Sequence, residues 1–182
     1  MLAADLAPVL LLPGLSDSGP QHWQTLWMQG RPGFRRVEQA DWETPRCQDW
    51  VANLEAAVAA AGPGALLVAH SAACVLVAHW AAASSRPIRG ALLVATPDPE
   101  APTFPEGPTG FAPLPLSPLP FPSTVVASQD DPYVAFERAR HFAYRWGSRL
   151  VSAGRVGHIN SSSGLGAWPD GLELLVELAG RR

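Results

Sequence analysis

Short apolar runs alternate with amphipathic stretches along most of the chain. Pro8 to Leu12 (PVLLL), Ala65 to Ala69 (ALLVA), Ala91 to Ala95 (ALLVA again) and Thr124 to Ala127 (TVVA) are short and continuously apolar. That pattern fits strands buried on both faces. Phe34 to Glu38 and Arg149 to Ser152 read as two shorter strands. Between them lie helical periods. Ser18-Gly19-Pro20-Gln21 resembles a capping box with proline in the first turn, followed by Trp23, Leu26 and Trp27 and a stop at Gly30. Thr44-Pro45 opens a second helix with Cys47, Trp50, Val51, Leu54 and Val58 on one face and Gly62 at its end. Ala72 to Ala83 is apolar nearly all round, as expected of a helix buried behind a sheet. Val134 to Trp146 is amphipathic, and Leu172 to Leu178 is a last helix ending at Gly180.

Strand and helix alternating in this way predict an α/β fold: a three-layer sandwich with a mostly parallel sheet of about six strands. With 182 residues, one domain over 1–182 is expected, with no internal repeat. Residues 97–122 break the rhythm, holding ten prolines and no period. Two readings stand for so long an irregular stretch: a rigid surface crossover, or a loop walling a substrate pocket.

Composition narrows the classes. Apolar residues make up 47% and charged residues 16%, which implies a packed globule rather than disorder. A net charge of -3 argues against nucleic acid as a partner. Every basic residue is arginine, so neither a Schiff-base lysine nor a P-loop lysine is available. Cys47 and Cys74 are the only cysteines and fall in apolar helical patterns, as buried small hydrophobes in a reducing compartment. The start, Met1 to Ala7, has no basic region and is interrupted by Asp5, so a signal peptide is not expected. No apolar run approaches the ~20 residues of a membrane span. These features suggest a soluble, cytoplasmic protein.

In a parallel sheet, active sites gather beyond the carboxyl ends of the strands. Four places there carry reactive groups: Gly14-Leu15-Ser16, His70-Ser71-Ala72, Asp130-Asp131 and Gly157-His158. Ser71 sits where a nucleophile elbow would turn from strand to helix, with Ala69 and Ala73 in place of the usual glycines. Alone it would read as a helix N-cap. Asp131, before Pro132, alone would read as the cap of the next helix, and His158 as a loop residue. Together they are a Ser, Asp, His series in the chain order of α/β-hydrolases, each after a different strand. That makes Ser71 the candidate nucleophile, His158 the base and Asp131 the group orienting it. The amides of Leu15 and Ala72 are the candidate oxyanion donors. His22 reads as structural with a place near the pocket, His79 as a satisfied core residue, and His141 as solvated. Ser161, Ser162 and Ser163 look like loop hydrogen-bonding residues. No metal-ligand spacing occurs, so neither metal nor organic cofactor is expected.

Several motifs resemble those of the retinoblastoma-binding protein 9-like small serine hydrolases. They are LPGLSDSGPQHW near the start, DW at Asp41-Trp42, VAHSAAC around Ser71, ASQDDPYV around Asp131 and GHINSSSGLGAWPDG around His158. They span nearly the whole chain, and the last is the most specific. The resemblance implies an α/β-hydrolase core without a cap domain, strand order 2-1-3-4-5-6, and the triad on Ser71, Asp131 and His158. Many relatives carry Gly where this chain has Ala73. The expected activity is hydrolysis of small carboxylic esters or related acyl compounds through an acyl-enzyme on Ser71. The alternatives are an acyltransferase, and a ligand- or protein-binding module on the same fold with little turnover. The expected partner is a small acyl substrate; the sequence leaves the oligomeric state open.

Overall fold

A computed structural model describes residues 8–180. The N-terminal segment on which the signal-peptide expectation rests lies outside these. Six strands, β1 (Val9–Leu12), β2 (Phe34–Arg36), β3 (Leu66–His70), β4 (Gly90–Val94), β5 (Ser123–Ala127) and β6 (Arg149–Ser152), form one sheet. Its order is β2-β1-β3-β4-β5-β6 and every pair is parallel. The helices are α1 (Trp23–Met28), α2 (Cys47–Ala61), α3 (Ala72–Ala83), α4 (Phe136–Trp146) and α5 (Pro169–Ala179).

Side chains alternate across a strand, so each buried strand feeds two cores. Leu10, Leu12, Leu67, Ala69, Leu93 and Val125 pack on one face with α2, α3 and α4. Val9, Leu11, Leu66, Val68, Leu92 and Val126 pack on the other with Trp23 and Trp27 of α1 and Leu175 and Leu178 of α5. This is the single-domain α/β-hydrolase-like sandwich, with all carboxyl strand ends on one edge. Among the described residues no helix is long and apolar enough to cross a membrane.

The helix starts differ from the periodicity, and side-chain hydrogen bonds explain why. The Ser18-to-Gln21 stretch is not the cap of α1. The Ser18 hydroxyl donates to Gln24 Oε1 at 2.6 Å, and the Gln24 amide donates instead to His22 Nδ1 at 3.2 Å. The helix therefore begins at Trp23, capped by His22. Thr44-Pro45 does not open α2, because the Asp41 carboxylate accepts the amides of Glu43 and Thr44 and folds that stretch into a turn. The α2 helix starts at Cys47, whose amide donates to Thr109 O at 2.8 Å. The β2 strand ends at Arg36 rather than Glu38, and α4 starts at Phe136 rather than Val134.

Residues 97–122 combine buried anchor points with a stretch of cavity wall. Phe111, Leu114 and Phe121 are buried in the α2/α3/α4 core, so the segment is an anchored crossover. His79 Nε2 donates to Phe111 O at 2.9 Å, and Trp146 Nε1 donates to Pro115 O at 2.8 Å. The same segment places Pro97, Phe104 and Pro105 in the wall of a cavity at the strand ends.

Candidate active site

At the end of β3 the backbone turns sharply into α3, with Ser71 at φ 56° and ψ -130°. A positive φ is costly for a residue with a Cβ and persists only where the surroundings enforce it. Here they do. The Ser71 amide donates to Val94 O at 2.9 Å, and Ala69, Ala72 and Ala73 are fully buried around the turn. Gly14, after β1, lies against this elbow: a Cβ at that position would stand 2.8 Å from Ser71 Cβ and 3.0 Å from His70 O. Glycine is thus required for close approach, not only for a tight turn.

The structure brings Ser71, His158 and Asp131 into one hydrogen-bonded chain. Ser71 Oγ is 2.8 Å from His158 Nε2, and His158 Nδ1 is 2.9 and 3.0 Å from the two Asp131 oxygens. A carboxylate can only accept, so the imidazole proton sits on Nδ1 and Nε2 is left to accept from the serine hydroxyl. Asp131 also accepts the Tyr133 amide at 2.9 Å, and the Tyr133 ring stands edge-on to His158 at 4.6 Å. The Asp131 side chain is buried and the His158 side chain is 9% exposed.

The loop carrying His158 is tied on several sides. Asp130 Oδ1 accepts the Gly157 amide at 2.9 Å and the Ser128 hydroxyl at 2.8 Å, so the neighbouring aspartate holds the loop rather than the imidazole. His70 Nε2 donates to the His158 carbonyl at 3.0 Å, and Trp23 Nε1 donates to the carbonyl of Ile159 at 2.8 Å. Burial, with His22 and His158 nearby, drives the His70 pKa well below its usual value, so this ring is neutral.

Leu15, Ser71 and Ala72 border a cavity of about 330 Å³. Ala72 opens α3, so its amide is among the first-turn N–H groups with no partner inside the helix. Phe104, Pro105 and Tyr133 add apolar wall, while Asn160, Ser161 and Ser162 add polar groups. Ser161–Ser163 form a 3-10 turn capped by Asn160. The sequence pointed to His158 but not to Tyr133, Asn160 or His70 as its surroundings. The only available signal was their adjacency to Asp131, His158 and Ser71.

Other candidates are excluded chemically. Cys74, behind the elbow, is buried, and desolvation pushes its thiol up to about 12, so it offers no thiolate. His22, His70 and His158 lie close together, but His70 Nε2 and both His158 nitrogens are already committed. Among the described residues no group of three His, Cys, Asp or Glu side chains is arranged to hold a metal ion. His141 is exposed, as its place on the polar face of α4 implies.

A family model described as "Serine hydrolase" matches residues 9–177. A YdeN-like hydrolase from Pectobacterium atrosepticum is 30% identical, covers 97% of this chain and 92% of its own, and superposes with a TM-score of 0.85. The ydeN gene product of B. subtilis, at 21% identity, covers 96% of this chain and 100% of its own with a TM-score of 0.75. Est1E from Butyrivibrio proteoclasticus, at 13% identity, covers 96% of this chain and 89% of its own with a TM-score of 0.67, and shares the fold. No curated protein matches the chain. The chain belongs to the serine hydrolase family.

Proposed function

For this member of the serine hydrolase family we propose hydrolysis of small carboxylic esters through an acyl-enzyme on Ser71. The observation that carries the reading is the chain from Ser71 Oγ through His158 to Asp131, at 2.8 and 2.9 Å, opening onto a small cavity. In this reaction Ser71 Oγ attacks the acyl carbon while His158 Nε2 takes its proton. The acyl oxygen becomes an oxyanion facing the amides of Leu15 and Ala72. His158 returns the proton to the departing alcohol, and the acyl group remains on Ser71. Water then attacks the ester so formed, with His158 as base and then acid, and frees the carboxylic acid. Asp131 keeps the Nδ1 proton in place and stabilises the imidazolium that forms twice in each cycle.

The GHINSSSGLGAWPDG stretch, which carries His158 and the polar cavity wall, supports placing the chain with the retinoblastoma-binding protein 9-like group. The reading is tested with a panel of short-chain esters. The folded wild type is expected to turn over some of them, and Ser71→Ala to lose roughly 10⁶-fold in kcat. A folded wild type inert on the whole panel contradicts it.

A further inference from the structure

Three residues of α1 are buried: Trp23, Trp27 and, between them, Gln24. A glutamine that is 1% exposed must find partners for its amide or it destabilises the fold. Gln24 finds them at the active-site edge of the sheet. Its Nε2 donates to Leu12 O at 3.1 Å and to Val68 O at 3.0 Å. Its Oε1 accepts the Ser18 hydroxyl proton at 2.6 Å. The Thr25 hydroxyl donates to Ser18 O at 2.9 Å, which ties the β1–α1 connection to the helix a second time.

The two carbonyls held by this one amide belong to neighbouring strands. Leu12 ends β1 and pairs with Ala69 of β3, the residue after Val68. Three residues beyond Leu12 stands Leu15, and three beyond Val68 stands Ser71, followed by Ala72. Gln24 therefore bridges β1 and β3 just before the two turns that would present the Leu15 and Ala72 amides to a single oxygen. The pairing of β1 with β3 stops at Leu12, so it no longer sets the spacing of those turns. That spacing is tight, since a Cβ on Gly14 would stand 2.8 Å from Ser71 Cβ. Gln24 is not itself part of the cavity wall, so it can act on the site only through these two backbones.

We propose that Gln24 is a positioning residue for the oxyanion site: its side-chain amide fixes the ends of β1 and β3 at the separation at which the Leu15 and Ala72 amides converge on one oxygen. This rests on the ester-hydrolase reading. Donors aimed at an oxyanion act mainly on the transition state, so a loss of their spacing slows the chemical step more than it weakens substrate binding.

The test uses Gln24→Met, which keeps an unbranched chain without donors, and Ser18→Ala, which keeps the Gln24 amide but frees its oxygen. Hydrolysis of a short ester turned over by the wild type is measured beside inhibition by 1,1,1-trifluoroacetone, at a temperature where each variant is folded by circular dichroism. Ser71 Oγ adds to the carbonyl carbon of this ketone, the C=O π bond opens, the Oγ proton passes to His158, and the ketone oxygen becomes an oxyanion facing the Leu15 and Ala72 amides. Gln24→Met should lower kcat by about tenfold or more with KM within about twofold, and raise the Ki of the ketone by a similar factor. Ser18→Ala should move kcat and Ki the same way by about threefold. If Gln24 only stabilises the fold, the thermal midpoint falls while kcat and Ki stay within about twofold of the wild type, and the proposal is overturned. A fall in kcat with an unchanged Ki, or a change confined to KM, overturns it as well. If Gln24→Met does not fold, Ser18→Ala decides by the same two readouts. A folded wild type that hydrolyses no ester of the panel fails earlier, at the parent reading, and removes this one with it.

Discussion

Replacing Gly14 with alanine tests whether the approach of the β1 loop to the elbow sets the geometry of the site. The added Cβ would stand 2.8 Å from Ser71 Cβ, 3.0 Å from His70 O and 3.3 Å from Ser71 Oγ. Ordinary contact begins near 3.4 Å, so the overlap with Ser71 is about 0.6 Å. None of these atoms is the end of a flexible chain. Ser71 is fixed by its hydrogen bond to Val94 O and by fully buried alanines on both sides. The overlap must therefore be relieved by moving the Leu15 loop or the serine. Overpacking of this kind costs about 1–3 kcal/mol. In a chain of this size that lowers the melting midpoint by roughly 2–12 °C. A shift of several tenths of an ångström between nucleophile and oxyanion donors is expected to lower kcat by about 10–10² fold, given that ~1 Å costs ~10². The assay is steady-state ester hydrolysis at a temperature where the variant is folded by circular dichroism. Gly64→Ala, where an added Cβ meets nothing within 4 Å, is the control and should match the wild type. A Gly14→Ala enzyme with kcat within about twofold of the wild type would refute the reasoning.

Asp131→Asn should lower kcat on the order of 10⁴-fold near neutral pH, because an amide stabilises the wrong His158 tautomer. Asp130→Asn keeps an oxygen for the Gly157 amide and the Ser128 hydroxyl and should cost less than about tenfold; reversed effects in two folded variants would make Asp130 the triad acid. Phe104→Ala should change the relative rates across an ester panel, since Phe104 lines the cavity. Phe111→Ala removes a ring that is 1% exposed and packed 5.6 Å from Trp50, so it should cost about 3–5 kcal/mol of stability in denaturant melts and leave the substrate profile alone. Stability should also fall in mild acid: His22 is lowered from 6.5 to about 4, so the unfolded chain binds its proton first. Its contribution is intact above pH 6.5 and is lost as pH drops towards 4, up to about 3 kcal/mol, and His70 acts in the same direction. Denaturant midpoints at pH 7 and pH 4.5 measure the loss, and a pH-independent midpoint between them contradicts the burial of these rings as neutral groups.

Much of this architecture is legible in the chain because the strands are buried on both faces. ALLVA at 65–69 and at 91–95 has no polar residue to confuse its period, and Ala72 to Ala83 is apolar enough to be placed behind the sheet at once. The helix starts were less legible because local polar contacts decide them. Asp41 folds residues 41–44 into a turn that Thr44-Pro45 does not announce, and His22 rather than Ser18 caps α1. Residues 97–122 have no period because they are held from a distance, Phe111 by Trp50 and His79, Pro115 by Trp146. At the site, the order of Ser71, Asp131 and His158 was readable, since each follows a strand. The contacts of His70 with the His158 carbonyl, and of Trp23 with Ile159, join residues 88 and 136 positions apart. They exist only once the parallel register brings the strand ends together, and no local pattern encodes that.

The central claim is that Ser71 is a nucleophile activated by His158. The most direct measurement is intact-mass analysis after treatment with a small fluorophosphonate, for the wild type and for Ser71→Ala. The wild type is expected to gain one phosphonyl adduct, mapped to Ser71 by peptide sequencing, and Ser71→Ala to gain none. A folded wild type that gains no adduct, or a Ser71→Ala protein labelled to the same extent, would contradict the account.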